Sequence, residues 1–278
     1  MNRPDGIHSN ITSAEYHADT TTLSYSGAKL LLPPSTPAHF KYQLDNPSPP
    51  KRHYDFGHAA HRFLLGEGEE IVPVDADDWR TKAAKEQAES ARDEGKVPLL
   101  RAEFDKALAM VDALHANPDA AALFKSGVAE RAMYATDTES GVRLRGRADW
   151  LTYGDGELLI VDYKTTTSAD PDTFERASTK YKYYLQAVWY RDLAIAIELH
   201  NNPVFVLVAQ EKTPPFLSSV MRFDDIAIAE GRLLKRQAIE TYARCIETGV
   251  WPGYPTGIQV ISVSPWAYSE DDIEMKAV

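Results

Sequence analysis

VRLRGRADWLTYGDGELLIVDYK, residues 142–164, contains two strands and the turn between them. The first half alternates. Arg143, Arg145, Arg147 and Asp149 fall on one face, with Val142, Leu144, Ala148 and Trp150 on the other. The second half is apolar on both faces through Leu158–Val161, the pattern of a buried central strand. Gly154-Asp155-Gly156 joins them as a tight turn. A buried strand that ends in Asp162 and Lys164, two residues sharing a face, needs partners or a metal for those charges. The plain alternatives are a structural Asp162–Lys164 ion pair and an Asp149 that merely pairs with Arg145 or Arg147.

Working outward, Val128–Thr136 is a third strand, which turns at Thr138–Gly141 into the first. Downstream, Asp170–Ser178 and Tyr181–Ile197 are expected helices, then strands at Val204–Glu211 and Val220–Phe223. Asp225–Thr248 is a long helix, with Asp224 or Asp225 as cap and Gly249 as stop. The tail after Trp251 is irregular. Upstream, helices are expected at 24–32 (stopped by Pro33-Pro34), 37–44, 53–65, 79–94 and 98–116, with a short extended piece at 69–75. Residues 1–25 show no period. The order predicts a mixed α/β (α+β) fold, a central mixed sheet flanked by helices with extra N-terminal helices. One domain is expected over 1–278. Its parts are an N-terminal segment (1–52), a helical part (53–125), the sheet and its helices (126–225), and a C-terminal helix and tail (226–278).

Composition sets limits. Thirty Lys and Arg against 41 Asp and Glu give a net charge of −11, so the chain is no passive polyanion binder. Any nucleic-acid contact must use local basic groups or metal ions. The single Cys245 excludes an intramolecular disulfide and a four-cysteine cluster, which fits a reducing cytoplasm. No apolar run approaches the ~20 residues of a membrane span, and the opening residues lack the core of a signal peptide.

Two carboxylates on adjacent strands, Asp149 and Asp162, suit a hard cation such as Mg²⁺, which keeps several waters and needs few protein ligands. Lys164 points to the same place, where an ammonium can orient a water and offset charge on a scissile phosphate. Asp, followed on the next strand by Asp-x-Lys, resembles the PD-(D/E)XK nuclease signature in its RecB-type and RecE-type variant. Gly57 and His61 are similar to that superfamily's upstream Gly-x-x-x-His. Gly146-Arg147-Ala148-Asp149 is similar to its Gly-x-x-Asp, and Gln186 with Tyr190 to its Gln-x-x-x-Tyr. The motifs follow in the family's order over residues 57–190. Leu23–Ser26 and Tyr183–Tyr190 further resemble phage and prophage RecE-like exonucleases. Ala148-Asp149 stands where a Pro-Asp would be, a departure common in the RecB-type branch.

The resemblance implies a restriction-endonuclease-like core and a Mg²⁺- or Mn²⁺-dependent exonuclease. Such an enzyme digests linear double-stranded DNA from 5′ ends and leaves a 3′ strand for an annealing protein. It implies a ring-shaped homo-oligomer in a bacterial cytoplasm, encoded by a phage or prophage. His61, Asp149 and Asp162 become metal ligands, with Lys164, Gln186 and Tyr190 completing the catalytic set. Glu130 is either a further carboxylate ligand or a solvated strand end. Arg143, Arg145 and Arg147 supply the local basic concentration for DNA, with Lys180 and Lys182 as a second candidate among Tyr181, Tyr183 and Tyr184. His58, one turn before His61, makes a two-histidine zinc site thinkable, but nothing is spaced to complete it. The rivals are another PD-(D/E)XK DNA nuclease (an endonuclease, or a RecB-type enzyme without an iron–sulfur cluster) and a catalytically silent DNA-binding protein on the same fold.

Overall fold

Residues 3–9, 11–47 and 55–262 are described by the structure, a computed structural model. The N-terminal stretch without a period contains β1 (Gly6–His8), α1 (Ser13–Ala18) and β2 (Leu23–Ser24). Strands of two or three residues are too short to carry an alternation, so pairing with distant partners makes them. Next come α2 (Tyr25–Leu30), capped by the Ser24 side chain, and α3 (Pro37–Asp45). Helix α4 (Asp55–Leu65) carries Gly57 and His61; the expected start at residues 53–54 lies outside the described residues.

Then follow β3 (Ile71–Val74), α5 (Lys82–Asp93), β4 (Val97–Leu100), α6 (Arg101–His115) and α7 (Pro118–Phe124). Two expectations change here. Pro98–Leu100 does not open the helix but pairs in parallel with β3, a long-range contact that local periodicity cannot reveal. Helix α7, capped by Asn117, was not expected at all.

The central sheet forms from β5 (Val128–Thr136), β6 (Arg143–Gly154), β7 (Glu157–Thr166), β8 (Val204–Glu211) and β9 (Ser218–Met221), with β1 on the outer edge of β5. Pairings are antiparallel except β7–β8 and the short β2–β6 contact. Helices α8 (Pro171–Tyr181) and α9 (Tyr183–Ala196) cross over between β7 and β8, and α10 (Asp225–Thr248), with Asp224 and Gly249 at its ends, is the last helix or strand among the described residues.

Side chains sort onto two faces. Leu158, Ile160, Phe205, Leu207 and Ala209 pack with α2, α9 and α10. Val161, Tyr163, Val206 and Val208 pack with α4, α6 and α7. The mixed α/β fold with a helix-flanked central sheet is therefore as expected. No helix among the described residues is long and apolar enough to cross a membrane.

Candidate active site

β6 is paired with β7 only from Trp150 to Gly154, and with β2 only at Leu144 and Arg145. Between those stretches, Gly146 to Asp149 lack a partner on that side. Here β6 and β7 part, and the chemistry-bearing residues gather. On the other side of β6, the ladder to β5 pairs Ala129 with Trp150 and Arg131 with Ala148, skipping Glu130 and Asp149 between them. Glu130 adopts a left-handed conformation (φ 53°), which is costly for a residue with a Cβ and breaks the regular ladder. The alternation expected for β6 breaks at the same level. Ala148 and Leu151 both join the α9-side core, whereas Trp150 packs on the α7 side.

Asp162 is 1% exposed. Its Oδ1 accepts from Gln186 Nε2 at 2.7 Å, and its Oδ2 faces Lys164 Nζ at 2.5 Å without a directed hydrogen bond. Asp149 Oδ2 accepts the Tyr163 backbone N–H at 2.9 Å and lies 3.6 Å from His61 Nδ1. Helix α4 delivers His61 because Ala60 packs against the β7 face and Gly57 lies over Thr165, so the helix sits close to the end of that strand. The His61 ring also rests against Tyr163, 5.0 Å between centroids.

Burial dominates the electrostatics. It pushes Asp162 up to about 6, with Asp149 adding to the rise and Lys164 opposing it. Asp149 is likewise raised by burial, against the pull of Lys164. Burial alone would depress Lys164, but Asp162 and Asp149 hold it above its ordinary value as an ammonium. His61 is pushed down to about 4 by burial and by Lys164, so its imidazole is neutral. Glu130 is pushed up to about 7 by burial, despite Arg147 Nε at 2.7 Å from its carboxylate.

Among the described residues, no three His, Cys, Asp or Glu side chains already converge as a cage for a metal ion. The donors nevertheless fit a hydrated divalent cation. Two carboxylates with raised proton affinity, Asp149 half-buried and Asp162 buried with one oxygen lacking a directed donor, are what Mg²⁺ needs when waters fill its remaining positions. The neutral His61 beside Asp149 is the ionisation state a ligand requires.

Residues 24–263 match a family profile described as a PDDEXK-like domain of unknown function, DUF3799. The chain belongs to this PDDEXK-like family. Its structure is similar to that of a candidate exonuclease from Eubacterium rectale, with a TM-score of 0.64, 14% identity, and coverage of 97% of this chain and 99% of that one. At such identity the likeness concerns the fold. Alignment with SSO0001 gives a TM-score of 0.29 at 15% identity, covering 68% of this chain and 84% of that one. VC1899 from Vibrio cholerae gives 0.23 at 13%, covering 72% and 57%. Scores of that size do not bear on the fold. No curated protein sequence matches the chain.

In this PDDEXK-like chain the fold brings His61, Asp149, Asp162, Lys164 and Gln186 together, with Glu130 at the neighbouring register of β5. Tyr190 is buried beneath β6, against Gly146 and edge-to-face with Phe205, with its hydroxyl beside Gln186 and near the Asp149 and Asp162 charges. Other expectations change. Arg145 is buried too. It pairs with Asp19 at 3.5 Å and donates to Thr22 Oγ1 at 2.8 Å, anchoring the N-terminal segment instead of presenting a surface cation. Arg143 pairs with Asp5 at 3.2 Å and Arg147 with Glu130. Both Arg145 and Arg147 stand over the Tyr16 ring, each at 5.0 Å. Lys180 is exposed over Tyr181, and Lys182 links α8 to α9. A cleft of about 980 Å³ opens beside the site, bounded by His17, Ser24, His58, Arg147 and the β4 residues Val97 and Pro98. His17 was missed because residues 1–25 offered no pattern.

Proposed function

We propose that this chain is a divalent-metal-dependent DNA nuclease, and specifically a RecE-like exonuclease acting on linear double-stranded DNA from the 5′ end. The observation that carries this reading is Asp162, buried, paired with Lys164 at 2.5 Å, at the mouth where β6 leaves β7 and beside Asp149. A silent binding protein has no use for an ammonium paired with a costly buried carboxylate and held charged by a second one nearby.

Asp149 and Asp162 would hold Mg²⁺ or Mn²⁺, with His61 beside them. The bound cation supplies charge neutralisation at the scissile phosphate and acidifies a water. Gln186 fixes the rotamer of Asp162 through Oδ1, leaving Oδ2 toward the reacting groups. Lys164, as an ammonium, orients the attacking water and offsets phosphate charge. The resemblance of the motifs over residues 57–190 supports the RecE-like assignment. With it come a ring-shaped oligomer, an annealing partner for the 3′ strand, and a phage or prophage origin in a bacterial cytoplasm.

The test is a linear duplex labelled at either the 5′ or the 3′ terminus, incubated with Mg²⁺ and with EDTA. Early release of the 5′ label, only with Mg²⁺ and not by Asp162→Asn, is expected. Early release of the 3′ label would overturn the polarity. Release that persists in EDTA would overturn the metal dependence, and no release at all would overturn the nuclease.

A further inference from the structure

Two lysines near the site have no carboxylate partner among the described residues. Lys29 lies on α2, half-buried, with Nζ 5.5 Å from the centre of the Tyr25 ring. Lys182, also half-buried, is the single residue between α8 and α9. Tyr25 ties the two segments together, its hydroxyl donating to the Tyr181 carbonyl at 2.7 Å. Tyr181 stacks on Tyr183 at 5.7 Å, and the Tyr183 ring lies under Lys164 at 5.1 Å. The contacts therefore run unbroken from Lys29 through Tyr25 and the 181–183 segment to Lys164. Burial lowers the proton affinity of Lys29, and the neighbouring charges of Lys164 and Lys182 lower it further. A cluster of ammonium groups short of counter-charge is a place for an anion.

Lys182 adds an independent clue. Its backbone is left-handed (φ 56°, ψ 45°), the conformation in which a helix C-terminus favours glycine. A lysine there carries a conformational cost that glycine would avoid, and such costs concentrate at functional sites.

We propose that Lys29 and Lys182 form a phosphate subsite that grips the DNA phosphodiester next to the one being cut. This rests on the nuclease reading and deepens it. Tyr25 is a positioning residue, holding α2 against the end of α8.

The experiment measures binding of a fluorescein-labelled linear duplex by anisotropy, in EDTA so that nothing is cut, over a range of salt. Lys29→Gln and Lys182→Gly should each weaken binding and reduce the slope of log affinity against log salt by about 0.9, the value of one lost phosphate contact. Lys29→Arg should restore the slope. Lys182→Gly should melt at the wild-type temperature or above it, since glycine suits that backbone; a purely structural lysine would give the same gain without the loss of binding. In single-turnover cleavage with Mg²⁺, one neutral methylphosphonate beside the scissile linkage should slow the wild type and leave the double variant no slower. A wild type that binds and cuts DNA while both variants keep its salt slope overturns the subsite alone, as does equal slowing of wild type and double variant by the neutral linkage. A wild type that neither binds nor cuts DNA overturns the nuclease reading and the subsite with it.

Discussion

Asp162 and Lys164 face each other at 2.5 Å with the carboxylate almost wholly buried, an arrangement that costs desolvation on both sides. Removing one partner does not have the same consequence as removing the other. Asp162→Asn keeps the shape, discards one of two crowded carboxylates and leaves Lys164 with Asp149. It should melt at or above the wild-type temperature while losing hydrolysis by about 10²–10³-fold or more, as when a charge-stabilising group leaves a dry site. Lys164→Ala should lose about 10²–10⁴-fold. It should also melt lower at pH 8, because the two carboxylates lose their cation; calorimetry of both proteins decides the matter. His61→Ala should lose about 10–100-fold with Mg²⁺ and with Mn²⁺ alike. The exposed His58, one turn away, should tolerate alanine in the same assay, and the reverse result would remove the histidine from the site. Motif residues of this sort were legible because their types are improbable where they stand: an acid and a lysine ending an apolar strand. The arginines of β6 were not, since alternation gives a side chain's face and says nothing of Asp19, Asp5 or Glu130, which neutralise them.

At the level of elements, the site depends on register. Pairings on either side bring Glu130 level with Asp149, and continuing the β6–β7 pairing one step past Trp150 and Val161 brings Asp149 level with Asp162. Three acids stand at this level of neighbouring strands, and burial makes each bind its proton more tightly than it would when unfolded. For Glu130, raised from 4.5 to about 7, the folded chain holds a proton that the unfolded chain has released across that window. Stability from this residue is therefore greatest at low pH and falls as pH rises from about 4.5 to about 7. His61 acts in the opposite direction, since it stays neutral to about 4 while an unfolded imidazole charges below 6.5. Glu130→Gln isolates the carboxylate. Its melting temperature relative to wild type should climb between pH 4.5 and 7 and then level off; a difference independent of pH would refute a burial-raised carboxyl at this position. Strand limits of β5 to β8 were readable from turns and apolar runs. The left-handed Glu130 was not, because nothing local marks a glutamate for φ of 53°. β4 was hidden for a related reason, being defined by its distant pairing with β3, whereas α7 carries a local signal in its Asn117 cap and Pro118 but is too short to show a period.

Over the whole molecule, a net charge of −11 repels DNA from most of the surface, so approach must be local. The cleft of about 980 Å³ runs beside the site, between the N-terminal segment and the β3–β4 unit, with His58 and Arg147 on its wall. The N-terminal segment is held down by the buried Arg145–Asp19 pair and by β1 on the edge of β5, so that wall is part of the fold. Asp149 lies two residues beyond Arg147 on the same strand. On the proposed exonuclease reading DNA would enter along this cleft end first, whereas a continuous duplex offers no end to insert. Linear duplex should accordingly be degraded with Mg²⁺, and covalently closed circular duplex of the same sequence should survive under identical conditions. Raising the salt should slow the digestion steeply, since each phosphate contact contributes about 0.9 to the log–log slope. Gel analysis of a supercoiled plasmid beside its linearised form provides the measurement. Conversion of the supercoiled form to full-length linear product would mean that the carboxylates engage internal phosphodiesters, and that the cleft admits a duplex from the side.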